Sequence, residues 1–158
     1  MRTSRLGLRV PRRRAGIRTM DRMSSTKSGE VLRGLRVLVV EDHGPSAASI
    51  EEFLSFAGHE VRVVSNGRAA MEAVEADKPD VVLLDIGLPG EMDGYALAKW
   101  ITEKPATKRP LLVAVTGHHG EEDRRNSKMS GIDLHLAKPV EAGQLQGLLA
   151  RFQQIVSE

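Results

Sequence analysis

The chain has 158 residues, of which 41% are hydrophobic and none is cysteine, and its formal net charge is +2. A chain of this length can bury one core, and the lack of cysteine excludes disulfides, thiolate metal sites and cysteine nucleophiles. Because no run of about 18 apolar residues is present, the sequence predicts no membrane span, and we expect a cytoplasmic protein.

Basic residues are concentrated near the N-terminus. Residues 1–33 contain ten of the 23 Lys and Arg residues but only two acidic residues. Residues 34–158 therefore carry 13 basic and 19 acidic side chains, so the sequence pI of 9.1 reflects the N-terminal segment. This composition predicts a disordered extension over 1–33 and one folded domain over 34–158, with no specific nucleic-acid binding.

The remaining sequence alternates between two hydrophobic patterns. Short β-branched or aliphatic runs predict five strands, at 35–40, 59–64, 80–84, 111–116 and 133–137. Apolar residues at helical spacing predict helices at about 47–57 and 67–76, from Asp93 onward, at 121–130 and from Glu141 onward. The helix at 121–130 has one strongly apolar residue, Met129, so we expect it to pack loosely and to move. Strict alternation predicts an α/β doubly wound parallel sheet with helices on both faces.

Polar side chains stand where the predicted strands end. Glu41 and Asp42 follow the first strand, Asp85 follows the third, Thr116 ends the fourth and Lys138 follows the fifth. Ligands of doubly wound sheets bind at this edge, so we expect Asp85 to be exposed to an attacking group. If the first and third strands are neighbours, the three carboxylates repel by about 4 kcal/mol per pair at 4 Å. Such a cluster requires a cation, and oxygen ligands favour Mg²⁺ with a phosphoryl group as substrate.

Four motifs in this order resemble the receiver domain of two-component response regulators, over about residues 35–156. They are VLVVEDH, VVLLDIGLPGEMDG, VAVTGHH and LHLAKPVE. The resemblance implies the strand order 2-1-3-4-5 of a flavodoxin-like fold. It also implies a phosphoprotein of signal transduction that assists its own phosphorylation and dephosphorylation, rather than a turnover enzyme.

The resemblance further implies a metal site. Asp42, Asp85 and the backbone carbonyl of Gly87 would bind Mg²⁺ directly, whereas Glu41 would act mostly through water. Glu91 departs from the family pattern, because it is an extra residue between the loop proline and the Asp-Gly pair that opens the third helix. We expect a looser loop there, with the metal ligands retained because they precede the extra residue.

Phosphoryl-group contacts are implied in the same way. Asp85 would accept the phosphoryl group, Lys138 would pair with Asp85 and then with the phosphoryl oxygens, and Thr116 would move to bind the new phosphate as the switch. The Lys138–Pro139 peptide would be cis. His135 stands where the family commonly has Tyr or Phe coupled to that threonine, and we favour a flat-ring substitute over a pH-sensitive element.

Partners follow from the resemblance as well. A histidine kinase or a histidine phosphotransfer protein would supply the phosphoryl group, as in a phosphorelay. Because the sequence ends at Glu158, just past the fifth predicted helix, we expect a stand-alone receiver that signals to a downstream protein through the fourth helix, fifth strand and fifth helix. A homodimer linked to phosphorylation stays open.

Two other functions are less favoured by the sequence. The first is a receiver-like interaction module that takes no phosphate, which the complete set of site residues disfavours. The second is a small Mg²⁺ hydrolase, which Gly87 disfavours because it stands two positions after Asp85, where a second acidic group would serve acid–base chemistry.

Overall fold

The computed structural model describes residues 33–104, 108–117 and 121–157, without the side chains of 121–124. The predicted extension at 1–33, except Arg33, lies outside this range. The described strands are β1 (Arg36–Val40), β2 (Glu60–Val64), β3 (Val81–Asp85), β4 (Leu111–Thr116) and β5 (Leu134–Ala137). The described helices are α1 (Gly44–Phe56), α2 (Gly67–Asp77), α3 (Gly94–Glu103), α4 (Glu121–Ser130) and α5 (Ala142–Val156).

The sheet is parallel throughout, in the order β2-β1-β3-β4-β5. The predicted fold class is therefore confirmed, including the flavodoxin-like strand order. Parallel pairing places the carboxyl ends of all five strands along one edge. β3 is the central strand, and β1 and β4 flank it on either side.

Alternate residues of the inner strands β1, β3 and β4 pack into two separate cores, because successive side chains of a strand point to opposite faces. Val37 and Val39 of β1 pack with α1 and α5, which contribute Leu54, Leu145 and Leu149. Leu38 and Val40 pack with α2 and α3, which contribute Ala70, Ala73, Leu97 and Ile101. Both faces of the sheet are thus covered, as predicted.

Local capping residues set where two helices begin. α1 begins at Gly44, earlier than the apolar pattern predicts, because the His43 side chain accepts a hydrogen bond from the Ser46 N–H and a proline occupies the first turn. α3 begins beside Asp93 as predicted, and the Asp93 carboxylate accepts from the Ala96 N–H at 2.9 Å. α1 thus starts just after the polar residues that follow β1, whereas the loop of residues 86–93 separates Asp85 from α3.

α4 differs in how it meets the rest of the fold. Met129, its one strongly apolar residue, is 75% exposed. The buried residues of its described part are Ser127 and Ser130. The helix therefore docks through small polar side chains, which explains why its hydrophobic pattern is weak in the sequence.

The opposite edge of the sheet, where the strands begin, is called here the amino edge. The residue just before β2, β3 and β5 accepts a hydrogen bond from a neighbouring backbone N–H in each case. These bonds run from Leu35 N to His59 Nδ1 (3.0 Å), from Arg36 N to Asp80 Oδ2 (2.8 Å) and from Leu112 N to Asp133 Oδ2 (2.9 Å). Lys108 also pairs with Asp80 at 2.6 Å, and Arg109 with Asp133 at 3.2 Å. Side-chain hydrogen bonds thus satisfy backbone N–H groups along this edge of the sheet.

Among the described residues, no helix has both the length and the apolar character that crossing a bilayer requires.

Candidate functional site

Three carboxylates converge at the carboxyl edge of the sheet. Glu41 and Asp42 follow β1 directly, and Asp85 is the last residue of β3, the neighbouring strand. One ligand oxygen from each of these residues lies within 4.8 Å of the others. The convergence that the sequence made conditional on the strand order is therefore present in the structure.

Asp85 is buried within this cluster rather than exposed to solvent. Its Oδ1 atom accepts a hydrogen bond from the Gly87 N–H at 2.9 Å, and its Oδ2 atom lies 3.1 Å from Lys138 Nζ. The residue is 7% exposed, so the expectation of an exposed carboxylate is wrong. The reason is topological, since the end of a central strand is recessed between the loops that leave its two neighbours. A reacting group must enter the cleft to reach it.

Lys138 links the carboxylates across the cleft. Its Nζ atom lies 3.1 Å from Asp85 and 3.6 Å from Glu41 Oε1, and its backbone N–H donates to the Thr116 carbonyl at 3.0 Å. The Lys138–Pro139 peptide is cis. Partial burial lowers the pKa of the Lys138 ammonium, but its hydrogen bond to Asp85 and the charges of Asp85 and Glu41 outweigh burial and raise the pKa overall. The lysine therefore stays protonated at neutral pH.

Glu41 is the buried acid of the pair after β1. Its Oε2 atom accepts a hydrogen bond from the His43 N–H at 3.0 Å. Burial raises the pKa of the Glu41 carboxyl, the Asp85 charge raises it further, and the His43 hydrogen bond and the Lys138 charge oppose that rise. Two carboxylates 4.8 Å apart repel by roughly 3 kcal/mol at an effective dielectric near 20. Three carboxylates with one lysine leave a surplus of negative charge that a cation would neutralise.

Thr116 and His135 occupy different positions relative to the cluster. Thr116 is the buried last residue of β4, one residue beyond the Val115 that pairs with Asp85. His135 lies on the outer strand β5, and its Nε2 atom is hydrogen-bonded to Ser127 Oγ on α4. The structure thus places the threonine beside the cluster and connects the histidine to a helix.

The loop after β3 exposes Glu91, the residue predicted to be extra, to solvent. Gly90 has a φ angle of +93°, which favours glycine, and it is exposed as well. Met92 returns to the protein and packs on Gly67, where an added Cβ atom would lie 2.7 Å from Met92 Cγ. Gly87 precedes this exposed part of the loop.

Gly94 is a site-supporting residue whose role the sequence did not reveal. An added Cβ atom there would lie 2.7 Å from the carbonyl oxygen of Asp85 and 2.7 Å from the Ile86 Cα atom. The start of α3 therefore presses against the backbone of the residue that forms the floor of the cleft. An added Cβ atom at Gly87 would meet only Asp85 Oδ1, at 3.7 Å. A glycine directly after a helix-capping aspartate was the available signal.

Fold and site together define a doubly wound, flavodoxin-like α/β protein with an acidic cleft that could hold a metal ion at the carboxyl edge of its sheet. A sequence profile of the response regulator receiver domain matches residues 37–150. The chain belongs to the family of response regulator receiver domains, and the resemblance carried by the four motifs is confirmed.

Two curated relatives are much longer than the segment that matches this chain. The chain is 34% identical over 124 residues to the sensor histidine kinase GacS of Pseudomonas protegens, and 31% identical over 126 residues to the response regulator PleD of Caulobacter vibrioides. These matches cover 76% and 78% of this chain but 13% and 28% of the relatives. The chain thus spans under a third of either protein, and the stand-alone arrangement stays a prediction.

A solved receiver domain supplies the structural comparison. The receiver domain of the sensor histidine kinase PA1611 from Pseudomonas aeruginosa PAO1 is similar with a TM-score of 0.69 and 31% identity, over 77% of this chain and 98% of that one. That structure has a magnesium ion coordinated in its active-site cleft. Within the part of the present chain that the structure describes, the acidic residues grouped so that they could hold a metal are Glu41, Asp42 and Asp85.

Proposed function

We propose that this receiver domain takes a phosphoryl group onto Asp85 in a Mg²⁺-dependent reaction and signals by changing a surface that a protein partner reads. The observation that supports the proposal is the meeting of three carboxylates within 4.8 Å, with Lys138 Nζ 3.1 Å from Asp85. An ion pair that only stabilises the fold needs one acidic side chain for each basic one. The excess acid is explained if the cleft neutralises a divalent cation and a phosphoryl group.

The donor set suits Mg²⁺, which prefers one or two carboxylates, water and substrate oxygens. We assign Asp42, Asp85 and the carbonyl of Gly87 as direct ligands and Glu41 as a ligand through water. The backbone of Gly87 already runs beside the Asp85 carboxylate, since its N–H donates to Asp85 Oδ1. When bound, the ion would neutralise charge on the transferring group. The buried Glu41 would add its negative charge to the cleft.

In the proposed transfer, one carboxylate oxygen of Asp85 forms a P–O bond to the phosphorus of a phosphohistidine. The P–N bond of the donor breaks, and its electron pair leaves with the imidazole, which takes up a proton from solvent. Lys138 is held protonated next to Asp85, so it can balance the charge of the phosphoryl oxygens. Thr116, at the end of β4, would then hydrogen-bond the new phosphate and act as the switch.

The donor would be a histidine kinase or a histidine phosphotransfer protein, and the readout a downstream protein in the cytoplasm. A groove of about 440 Å³ opens beside the cleft and is lined by Glu41, Lys138 and residues of α1 and of the segment before α5. It offers a donor side chain a route to the recessed Asp85. We propose a phosphoacceptor rather than a turnover enzyme, because the described cleft has an acceptor and charge-neutralising groups and Gly87 supplies no side chain.

Incubation with acetyl phosphate and Mg²⁺, followed by intact-mass measurement, tests this proposal. We expect one added phosphate on the wild-type chain and none on Asp85→Asn, and none on the wild type when EDTA replaces Mg²⁺. Asp93→Asn is the matched control, because Asp93 is an exposed carboxylate of the same loop that caps α3. It should accept phosphate like the wild type. A wild-type chain that takes no phosphate would favour the interaction module that binds without phosphorylation.

A further inference from the structure

The attachment of α4 differs from that of the other described helices. α3, its neighbour, buries Leu97, Ala98 and Ile101. α4 instead buries Ser127, which is 1% exposed, and Ser130, whose backbone carbonyl accepts a hydrogen bond from Thr102 Oγ1 at 3.2 Å. Hydrogen bonds therefore hold the second half of α4 where apolar contacts would usually act.

Among the described side chains of α4, Ser127 forms a hydrogen bond to a strand of the sheet. Ser127 Oγ is hydrogen-bonded to His135 Nε2 on β5. We infer that this His135–Ser127 bond is a latch that fixes the resting position of α4 on the sheet. Because a buried hydroxyl without a partner is costly, the serine makes the position of α4 depend on the histidine ring.

A catalytic role for this pair is excluded by its surroundings. A histidine beside a serine hydroxyl is the arrangement of an activated nucleophile, but Ser127 is too deeply buried for a substrate to reach it. A serine hydroxyl can donate to a bare imidazole nitrogen or accept from an imidazole N–H, so the bond can form in either tautomer of His135. The pair is therefore a positional contact rather than a catalytic one.

The latch has a consequence that rests on the proposed function. α4 follows Thr116 in the chain after a short connection, so movement of the threonine toward a phosphate pulls on the start of the helix. The latch holds the second half of α4. Since Met129 is already exposed, α4 can shift by breaking hydrogen bonds without exposing a large apolar side chain. The His135–Ser127 bond is thus one of the hydrogen bonds that must break before α4 can shift.

Hydrogen exchange of α4 amides in the unphosphorylated protein tests the latch. We expect Ser127→Ala and His135→Phe each to speed exchange in the second half of α4 by about fivefold, the loss of one hydrogen bond. β3 and β4 should stay unchanged. The double variant should exchange no faster than either single variant, because both remove the same contact. Met129→Ala is the control on the same helix and should leave exchange unchanged.

His135→Gln separates the loss of the hydrogen bond from the loss of the ring. Glutamine retains a hydrogen-bonding group near the position of Nε2, whereas phenylalanine retains only the flat ring. His135 is on the exposed side of β5, so both variants should fold, and urea unfolding checks this. Slow exchange in His135→Gln and fast exchange in His135→Phe supports the latch. Equal exchange in these two variants, or additive effects in the double variant, overturns it. Since no phosphate is present, a failed latch is distinguishable from a failed phosphoacceptor, which the acetyl phosphate assay reports.

Discussion

The two edges of the sheet treat charge in opposite ways. At the amino edge, Asp80 and Asp133 each accept a backbone N–H bond and each form an ion pair, with Lys108 and Arg109 respectively. At the carboxyl edge, three carboxylates crowd together, and the ion pairs that reach them within the described residues come from Lys138 alone. The fold therefore matches acids to bases where charge holds strands together, and leaves acid in excess where we propose that ligands bind.

This contrast separates structural carboxylates from functional ones without reference to any relative. An acid that stabilises the fold has its charge balanced by a nearby base. An acid kept for chemistry has neighbours of the same sign, which costs stability until a cation arrives. Asp80 is of the first kind, and we propose that Asp42 and Asp85 are of the second.

The largest effect should come from breaking the amino edge. Asp80→Ala removes a carboxylate whose side chain is 3% exposed and leaves the Arg36 N–H without its acceptor. We expect a loss of about 2 to 3 kcal/mol in the free energy of unfolding, measured by urea denaturation. Asp77→Ala removes an acid from the more exposed Arg62 pair and should cost under about 1 kcal/mol. Equal losses in the two variants would contradict a special role for the amino edge.

A smaller effect is expected at the carboxyl edge from Gly94→Ala. The new methyl group would lie 2.7 Å from two backbone atoms behind Asp85, so the strand end or the helix start must shift, at a cost of about 2 kcal/mol. The rate of phosphate uptake from acetyl phosphate should fall with it. Gly87→Ala meets only an ordinary contact and should stay within about 0.5 kcal/mol of the wild type. Similar costs for the two glycines would show that the close approach does not restrict the site.

The smallest effect concerns the pH dependence of the amino edge. Burial lowers the pKa of His59 below its usual value of 6.5, and its Nδ1 atom accepts the Leu35 N–H, which a protonated nitrogen cannot do. The neutral ring therefore stabilises the fold above pH 6.5, and this contribution is lost as pH falls through the lower pKa of the folded state. His59→Asn keeps an acceptor that does not titrate. Between pH 7.5 and about 5, the free energy of unfolding measured with urea should fall less steeply in this variant than in the wild type. Identical slopes would show that His59 does not contribute to the pH dependence.

Much of the fold followed from the sequence because its signals are local and repeated. Alternation of β-branched runs and helical spacing predicted five strands, five helices and two covered faces, and the ends of the strands predicted which polar residues to compare. The strand order was not derivable from these patterns and came from the family resemblance. Without it, nothing in the sequence brings Asp42 and Asp85 together.

Other features depended on three-dimensional context that no local pattern carries. The recessed position of Asp85 arises because β3 has a neighbour on each side. The role of Gly94 arises from the approach of a helix start to the backbone of another segment. Met129 is exposed and Ser127 buried because α4 docks through hydrogen bonds, which reverses the usual meaning of polarity in a helix.

We propose that the carboxyl edge has more acidic than basic side chains because it binds a divalent cation. Urea unfolding of the wild type and of Asp42→Asn, each with EDTA and with Mg²⁺, tests it most directly. We predict that Mg²⁺ at ten times its Kd stabilises the wild type by about 1.4 kcal/mol. Asp42→Asn should be at least as stable as the wild type in EDTA, because one repelling charge is gone, and should gain little from Mg²⁺. Equal stabilisation of both chains by Mg²⁺, or none of the wild type, would contradict the account.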